Sequence, residues 1–186
     1  MRTLLVFSAL ILIVCYLLGS IPFGYLVGLM RGVDVRKQGS GNIGATNVLR
    51  LLGPLAGGTV FLADALKGIV AVFLGQVFLP FDATWAGALC GLAAILGHNY
   101  SLYLRFKGGK GVATSLATLL ALSPSVALLA LLIFVITVAL TKYVSLGSIV
   151  GAGSAWLITL GTREPAAYKI YVTVAALLII YLCPEA

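Results

Sequence analysis

The sequence predicts an all-α integral membrane protein with about seven transmembrane helices, on three observations. Of its 186 residues, 61% are hydrophobic and 9% charged, with mean hydropathy +1.14. A soluble domain of this length has too little interior to hide so much apolar surface, so its solvent is lipid. The apolar runs are too long for barrel strands, which leaves helices, the other structure that satisfies its backbone in a bilayer. Charge is concentrated in alternate breaks between those runs, as expected of a chain crossing back and forth.

The first predicted span, 3–30, begins like a signal peptide from Thr3 to Val14. Arg2 is its only basic residue, however, and the apolar pattern continues through Ile21-Pro22-Phe23-Gly24-Tyr25 to Met30 without a cleavage site, so it reads as retained. The second covers 51–80. Both exceed one crossing and carry breakers, Gly19-Ser20 with Pro22 and Gly53-Pro54 with Gly57-Gly58, which predict kinks or part-immersed segments. Spans at 84–104, 112–122, 125–141, 147–161 and 168–182 complete the set. The fourth is too short to cross alone and is expected to tilt or lean on neighbours. Trp85 and Tyr103 fit interfacial anchors.

The breaks set orientation. Arg31, Arg36, Lys37 and Arg50 lie in the 31–50 break, Arg105, Lys107 and Lys110 in 105–111, and Lys142 in 142–146. The alternate breaks hold Asp82, the uncharged Ser123-Pro124, and the Arg163/Glu164 pair. The basic side is therefore predicted to be cytoplasmic, with the N-terminus outside and the C-terminus inside. Net charge is +7, from twelve Lys/Arg against five Asp/Glu. In a membrane protein that excess points to anionic lipid or substrate, and no nucleic-acid partner is expected. Cys15, Cys90 and Cys183 lie far apart in apolar surroundings and read as buried hydrophobes, without disulfide or metal spacing. No repeat or linker divides the chain, so residues 1–186 are expected to form one polytopic domain.

Two glycine-punctuated basic segments carry the chemistry. In the first, Arg36 to Arg50, Gly39, Gly41 and Gly44 permit positive φ and close ligand approach, while Ser40, Asn42, Thr46 and Asn47 offer hydrogen bonds. A helix starting near Gly44 would place Asn47 and Arg50 on one face, with Arg50 able to grip an oxyanion. An ordinary cytoplasmic loop is the competing interpretation, and the segment lacks the phosphate-loop NTPase pattern. The second, Lys107-Gly108-Gly109-Lys110-Gly111, sets two ammonium groups on a backbone able to fold around an anion, with Thr114 on the following helix. His98 and Asn99 precede it. His98, the sole histidine, lacks the acidic partner of an HxxxxD acyltransferase, and a hydrogen-bonded structural role competes with catalysis. Asp64 and Lys67, three apart on a helix, are read either as a structural pair or as substrate support. In 142–148, Ser145 and Ser148 either end a helix or join the other two segments. There is no cysteine–histidine pair, acidic dyad or metal cluster, so any reaction must rely on positioning, positive charge and an activated substrate.

These segments resemble those of the bacterial membrane-embedded acyl-phosphate:glycerol-3-phosphate acyltransferases of the PlsY type. The resemblance rests on Gly39-Ser40-Gly41-Asn42-Ile43-Gly44-Ala45-Thr46-Asn47 with Arg50, Gly97-His98-Asn99 through Phe106 to Thr114, and Tyr143 to Ser148, with support from Gly19 to Gly24, Asp64 and Lys67-Gly68. It runs from about residue 16 to residue 150. It implies attack of the 1-hydroxyl of glycerol 3-phosphate on a fatty acyl phosphate, without metal or cofactor, by a monomer in the bacterial inner membrane whose site faces the cytoplasm. Ser40, Arg50, Lys107, Lys110 and His98 form the expected catalytic set. Gly41, Asn42, Gly44, Thr46, Asn47, Asn99, Gly108, Gly109, Gly111 and Thr114 are expected to bind substrate, with Ser145 or Ser148 completing the cradle. The acyl tail is expected to lie between helices. Relatives continue the last helix into a basic tail with a His-Arg-Glu-Asn-type run; here Tyr181 is followed by Leu182-Cys183-Pro184-Glu185-Ala186. Activity of this chain is therefore expected only if that tail is dispensable. An anion transporter and an inactive lipid-phosphate-binding relative are the competing classes.

Overall fold

The computed structural model describes residues 2–183, and the Pro184-Glu185-Ala186 end weighed above lies outside them. Nine α-helices and no strand occur among the described residues: α1 (Arg2–Ser20), α2 (Phe23–Met30), α3 (Ala45–Leu52), α4 (Pro54–Phe78), α5 (Ala83–Asn99), α6 (Val112–Leu122), α7 (Pro124–Thr141), α8 (Val144–Gly161) and α9 (Ala166–Leu182). The two long apolar runs do break where proline and glycine predict. Pro22 separates α1 from α2, and Gly53, at φ +86°, separates α3 from α4, whose first residue is Pro54. The 142–146 break is shorter than expected, because α8 already begins at Val144 and carries Ser145 and Ser148 on its first turns.

Bulky apolar side chains cover the outside. Leu5, Leu62, Leu128, Leu157 and Leu177 are each more than half exposed, an arrangement that suits lipid and not water. Inside, small residues let helices close on one another. A side chain on Gly19 of α1 would collide with the Ala94 carbonyl of α5, and one on Gly97 of α5 with the Tyr16 carbonyl of α1. Helix α4 is the hub, packing against α1, α2, α3, α5 and α6, while α7 packs on α8 and α8 on α9. The short α6, eleven residues long, is sheltered by α4, α5, α7 and α9. It leans on neighbours, as its length requires.

Four segments are long and apolar enough to cross a membrane: Arg2–Met30, Pro54–Phe78, Pro124–Thr141 and Val144–Gly161. Helices α6 and α9 are shorter apolar helices. A separate apolar cluster of Val35, Ile43, Val48, Ala56, Val60 and Leu104 sits beneath the polar segments. Val35 immediately precedes the first segment, Ile43 and Val48 belong to it, and Leu104 comes from the approach to the second, so this plug sets the two loops against one another.

Candidate active site

The first segment folds around one side chain. Asn47, on the first turn of α3 and 2% exposed, accepts from the Ser40 N–H through Oδ1 at 2.9 Å. Its Nδ2 donates to the carbonyls of Val35 (3.0 Å), Gln38 (3.2 Å) and Asn42 (2.9 Å). A phosphate contact through that amide would have to displace one of these bonds. Asn42 Oδ1 in turn accepts from the Gly44 N–H at 2.8 Å. Gly39 and Gly41 take the left-handed backbone that the sequence suggests, at φ +60° and +70°. Gly44 does not: at φ −73° and ψ 161° it is the extended residue that starts α3, a role open to other residues. Helix α3 starts after Gly44 and carries Asn47 and Arg50 three residues apart, but the loop draws Asn47 inward while Arg50 stays exposed. Ser40 is exposed and Thr46 half-buried.

The segment's charges are unequal. Arg36 is engaged, donating to Asp34 through Nε (2.9 Å) and Nη2 (2.8 Å) and lying 4.1 Å over the Tyr25 ring. Hydrogen bonding to Arg36 holds the Asp34 carboxyl down at about 2. Among the described residues the lysine and arginine ion pairs are Arg36–Asp34 and Lys67–Asp64. Arg50, Lys107 and Lys110 therefore keep positive charge that no carboxylate among the described residues offsets.

The second segment is wrapped on the end of α5. Arg105 and Phe106 both hold left-handed backbone, at φ 53° and 64°, which is uncommon without glycine and costs of order 1 kcal/mol or more each. The Phe106 N–H reaches the Ser101 carbonyl at 2.7 Å, and the turn brings Lys107 out to solvent. The Gly108 and Gly109 N–H groups then donate to the Asn99 and His98 carbonyls, each at 3.0 Å. A side chain on Gly109 would strike the His98 ring, and one on Gly111, at φ +73°, would strike the Asn99 amide. Asn99 is 4% exposed, and its amide makes no hydrogen bond among the described residues.

Lys110 joins the third segment, with its Nζ 3.4 Å from Ser145 Oγ. Ser148 bonds its own helix, donating to the Val144 carbonyl at 2.9 Å. Thr114 faces inward and donates to the Asp64 carbonyl at 3.1 Å. From this junction an apolar cavity of about 180 Å³ runs between α6, α7, α8 and α9, lined by Val112, Leu116, Leu119, Phe134, Ala155 and Val172 among others. Ser115, Ser148 and Tyr171 are its polar lining; the Tyr171 hydroxyl bridges Thr118 Oγ1 and the Ser115 carbonyl.

The sequence profile of the glycerol-3-phosphate acyltransferase family matches residues 9–185. A glycerol-3-phosphate acyltransferase of Clostridioides difficile is 49% identical over 153 residues, 80% of this chain and 75% of that one. One from Thermus thermophilus is 48% identical over 170 residues, 91% and 84% of the two chains. The crystal structure of PlsY (YgiH), an integral membrane glycerol 3-phosphate acyltransferase, in its glycerol 3-phosphate form, superposes with TM-score 0.89 at 42% identity, covering 96% of this chain and 88% of that one. A lysophosphatidic acid form of the same protein superposes with TM-score 0.85. The chain belongs to the PlsY-type glycerol-3-phosphate acyltransferase family.

Within this acyltransferase fold the expected residues divide into three groups. Ser40, Arg50, Lys107, Lys110 and Ser145 present accessible polar groups on the loop-bearing end of the bundle. Gly41, Asn42, Gly44, Gly108, Gly109 and Gly111 form the turns behind them, and Thr46 lies half-buried on the first turn of α3. Asn47, His98, Asn99, Thr114 and Ser148 are buried. Ser115, which follows Thr114 on the helix after the second segment, lines the cavity, and its hydroxyl has no partner among the described residues. One component was not legible. The contact of Lys67 with His98, 2.9 Å across 31 residues, was signalled only by the rarity of charge in a membrane helix.

Proposed function

We propose that this chain transfers a fatty acyl group from an acyl phosphate to the 1-hydroxyl of glycerol 3-phosphate, giving 1-acylglycerol 3-phosphate and inorganic phosphate in the first step of phospholipid synthesis. The observation that carries this reading is the junction at Lys110 and Ser145. There Lys110 reaches Ser145 at 3.4 Å, close along the chain to Val112 and Ser148 of the cavity lining, so a rim cation that no carboxylate among the described residues pairs stands beside an apolar cavity. A substrate with a phosphate head and a fatty tail suits both halves at once. The PlsY forms with glycerol 3-phosphate and lysophosphatidic acid support the acceptor and product.

The acceptor's hydroxyl oxygen attacks the acyl carbonyl carbon, the carbon–oxygen bond to phosphate breaks, and inorganic phosphate leaves. The hydroxyl proton passes to the acceptor's own phosphate, because among the described residues the exposed rim supplies cations and no carboxylate base. Arg50, Lys107 and Lys110 offset the charge that gathers on the carbonyl oxygen and the departing phosphate, aided by the Ser40 hydroxyl, while the glycines of 41–44 and 108–111 shape the turns that carry them. The mixed anhydride is already activated, so the reaction calls on no metal or cofactor. In this reading the 1–186 chain acts as one domain and a monomer in the bacterial inner membrane, its cationic rim facing the cytoplasm.

The donor is tested by reconstituting the chain with labelled glycerol 3-phosphate and either palmitoyl phosphate or palmitoyl-CoA. Lysophosphatidate with equimolar phosphate from the acyl phosphate alone is expected. Equal product from the thioester would overturn the donor assignment, and solute flux without product would favour a transporter.

A further inference from the structure

A buried ionic cluster lies behind the second segment. Asp64 and Lys67 of α4 and His98 of α5 are 2%, 2% and 4% exposed. Lys67 Nζ forms an ion pair with Asp64 Oδ1 at 2.8 Å and hydrogen-bonds His98 Nδ1 at 2.9 Å and the Ile21 carbonyl at 3.0 Å. Ile21 lies in the break between α1 and α2, where its carbonyl is outside either helix. An ammonium carries three N–H donors and no acceptor, so a ring nitrogen 2.9 Å from it must accept. It follows that His98 Nδ1 accepts and that the ring proton sits on Nε2. Asp64 Oδ1 is 3.5 Å from Nδ1, too far to compete with the shorter Lys67 contact.

The other side of that ring meets the glycine turn. Gly109 lies against Nε2 so closely that a side chain there would collide with it, and the His98 carbonyl accepts the Gly109 N–H at 3.0 Å. Lys107 and Lys110 flank this turn. Three ionisable groups buried in lipid-embedded helices cost several kcal/mol of desolvation, and apolar residues of equal volume would serve stability as well or better.

We propose that Asp64 and Lys67 are positioning residues for acyl transfer: Lys67 fixes the Nε2–H tautomer and ring plane of His98, and His98 sets the Gly108–Gly109 turn that aims Lys107 and Lys110. Neither Asp64 nor Lys67 touches substrate. The role in catalysis rests on the reading given under Proposed function; the tautomer does not.

The test combines both. His98 is the only histidine in the sequence, so ring-¹⁵N-labelled protein purified without a histidine tag reports it alone. Wild type is expected to show a protonated Nε2 and an unprotonated, hydrogen-bonded Nδ1. Protonated Nδ1, or an imidazolium, at neutral pH would overturn the proposal whether or not the chain is active. The double variant Asp64→Asn/Lys67→Met removes the cluster without leaving a lone buried charge. Assayed well below its unfolding temperature, it is expected to lose the fixed tautomer and to drop in kcat on the order of 10–100-fold, with a smaller change in KM. Lys67→Arg, which retains the donors, is expected to recover part of that loss. A folded double variant with wild-type kcat would overturn the proposal, because a purely structural cluster alters stability and not turnover per folded molecule. Wild type without transfer activity but with the expected tautomer would overturn the functional reading and leave the His98 geometry standing.

Discussion

Asn47 ties the first loop together: one acceptor and two amide protons reach four backbone groups from a side chain that is buried. Asn47→Ala strands these groups and is expected to destabilise the protein by roughly 2–4 kcal/mol, read as a lowered unfolding temperature in detergent. Asn47→Asp keeps the acceptor for Ser40 but loses every donor, so it should fare little better. At the outer edge of the same loop, Arg36 keeps the Asp34 carboxyl at about 2. A depressed carboxyl stabilises the fold above its ordinary value of 3.8 and loses that contribution as pH falls toward about 2. Carboxyl ¹³C titration should place the wild-type midpoint near 2 and return it toward 3.8 in Arg36→Ala. Which way a polar side chain turns was the part of the site that the sequence concealed. Asn42, Thr46 and Asn47 share one short polar run, and only the placement of the Val35, Gln38 and Asn42 carbonyls decides that Asn47 faces inward.

Turns and helix starts were legible wherever glycine or proline forces the backbone, as at Pro22, Gly53 and Gly111. They were less legible where packing decides. Helix α8 starts at Val144, ahead of its polar residues, and buries Gly147 and Ser148, a contact that polarity alone does not announce. The second loop makes the tighter prediction. Gly109→Ala must displace the His98 ring or the turn, so it should lower kcat/KM on the order of 10–100-fold while the protein still folds. The cavity offers an independent handle. Ala155 lines it and is 5% exposed, so Ala155→Phe fills space that the account gives to the acyl chain. Transfer from a long-chain donor should fall more than transfer from a short one, measured as the ratio of their kcat/KM values. Equal losses would place the chain elsewhere.

At the scale of the molecule, the all-helical membrane fold followed from hydropathy because lipid permits so few alternatives. The way α6, α7, α8 and α9 assemble around the cavity did not, since small-residue contacts such as Gly147 on Val138 leave no periodic signal. Sidedness is a prediction of charge. With the three buried native cysteines as a low background, a cysteine at Lys37 should label from the cytoplasmic side and one at Arg163 from the opposite side. Reversed labelling would invert the assigned orientation. The central claim concerns acyl transfer at the junction of cationic rim and apolar cavity. It is tested most directly by the purified 186-residue chain given palmitoyl phosphate and labelled glycerol 3-phosphate, beside a folded Lys110→Ala control. The account predicts labelled lysophosphatidate and equimolar phosphate from the wild type and a large loss of both from Lys110→Ala. Absence of product from the folded wild type, or unchanged product from the variant, would contradict it.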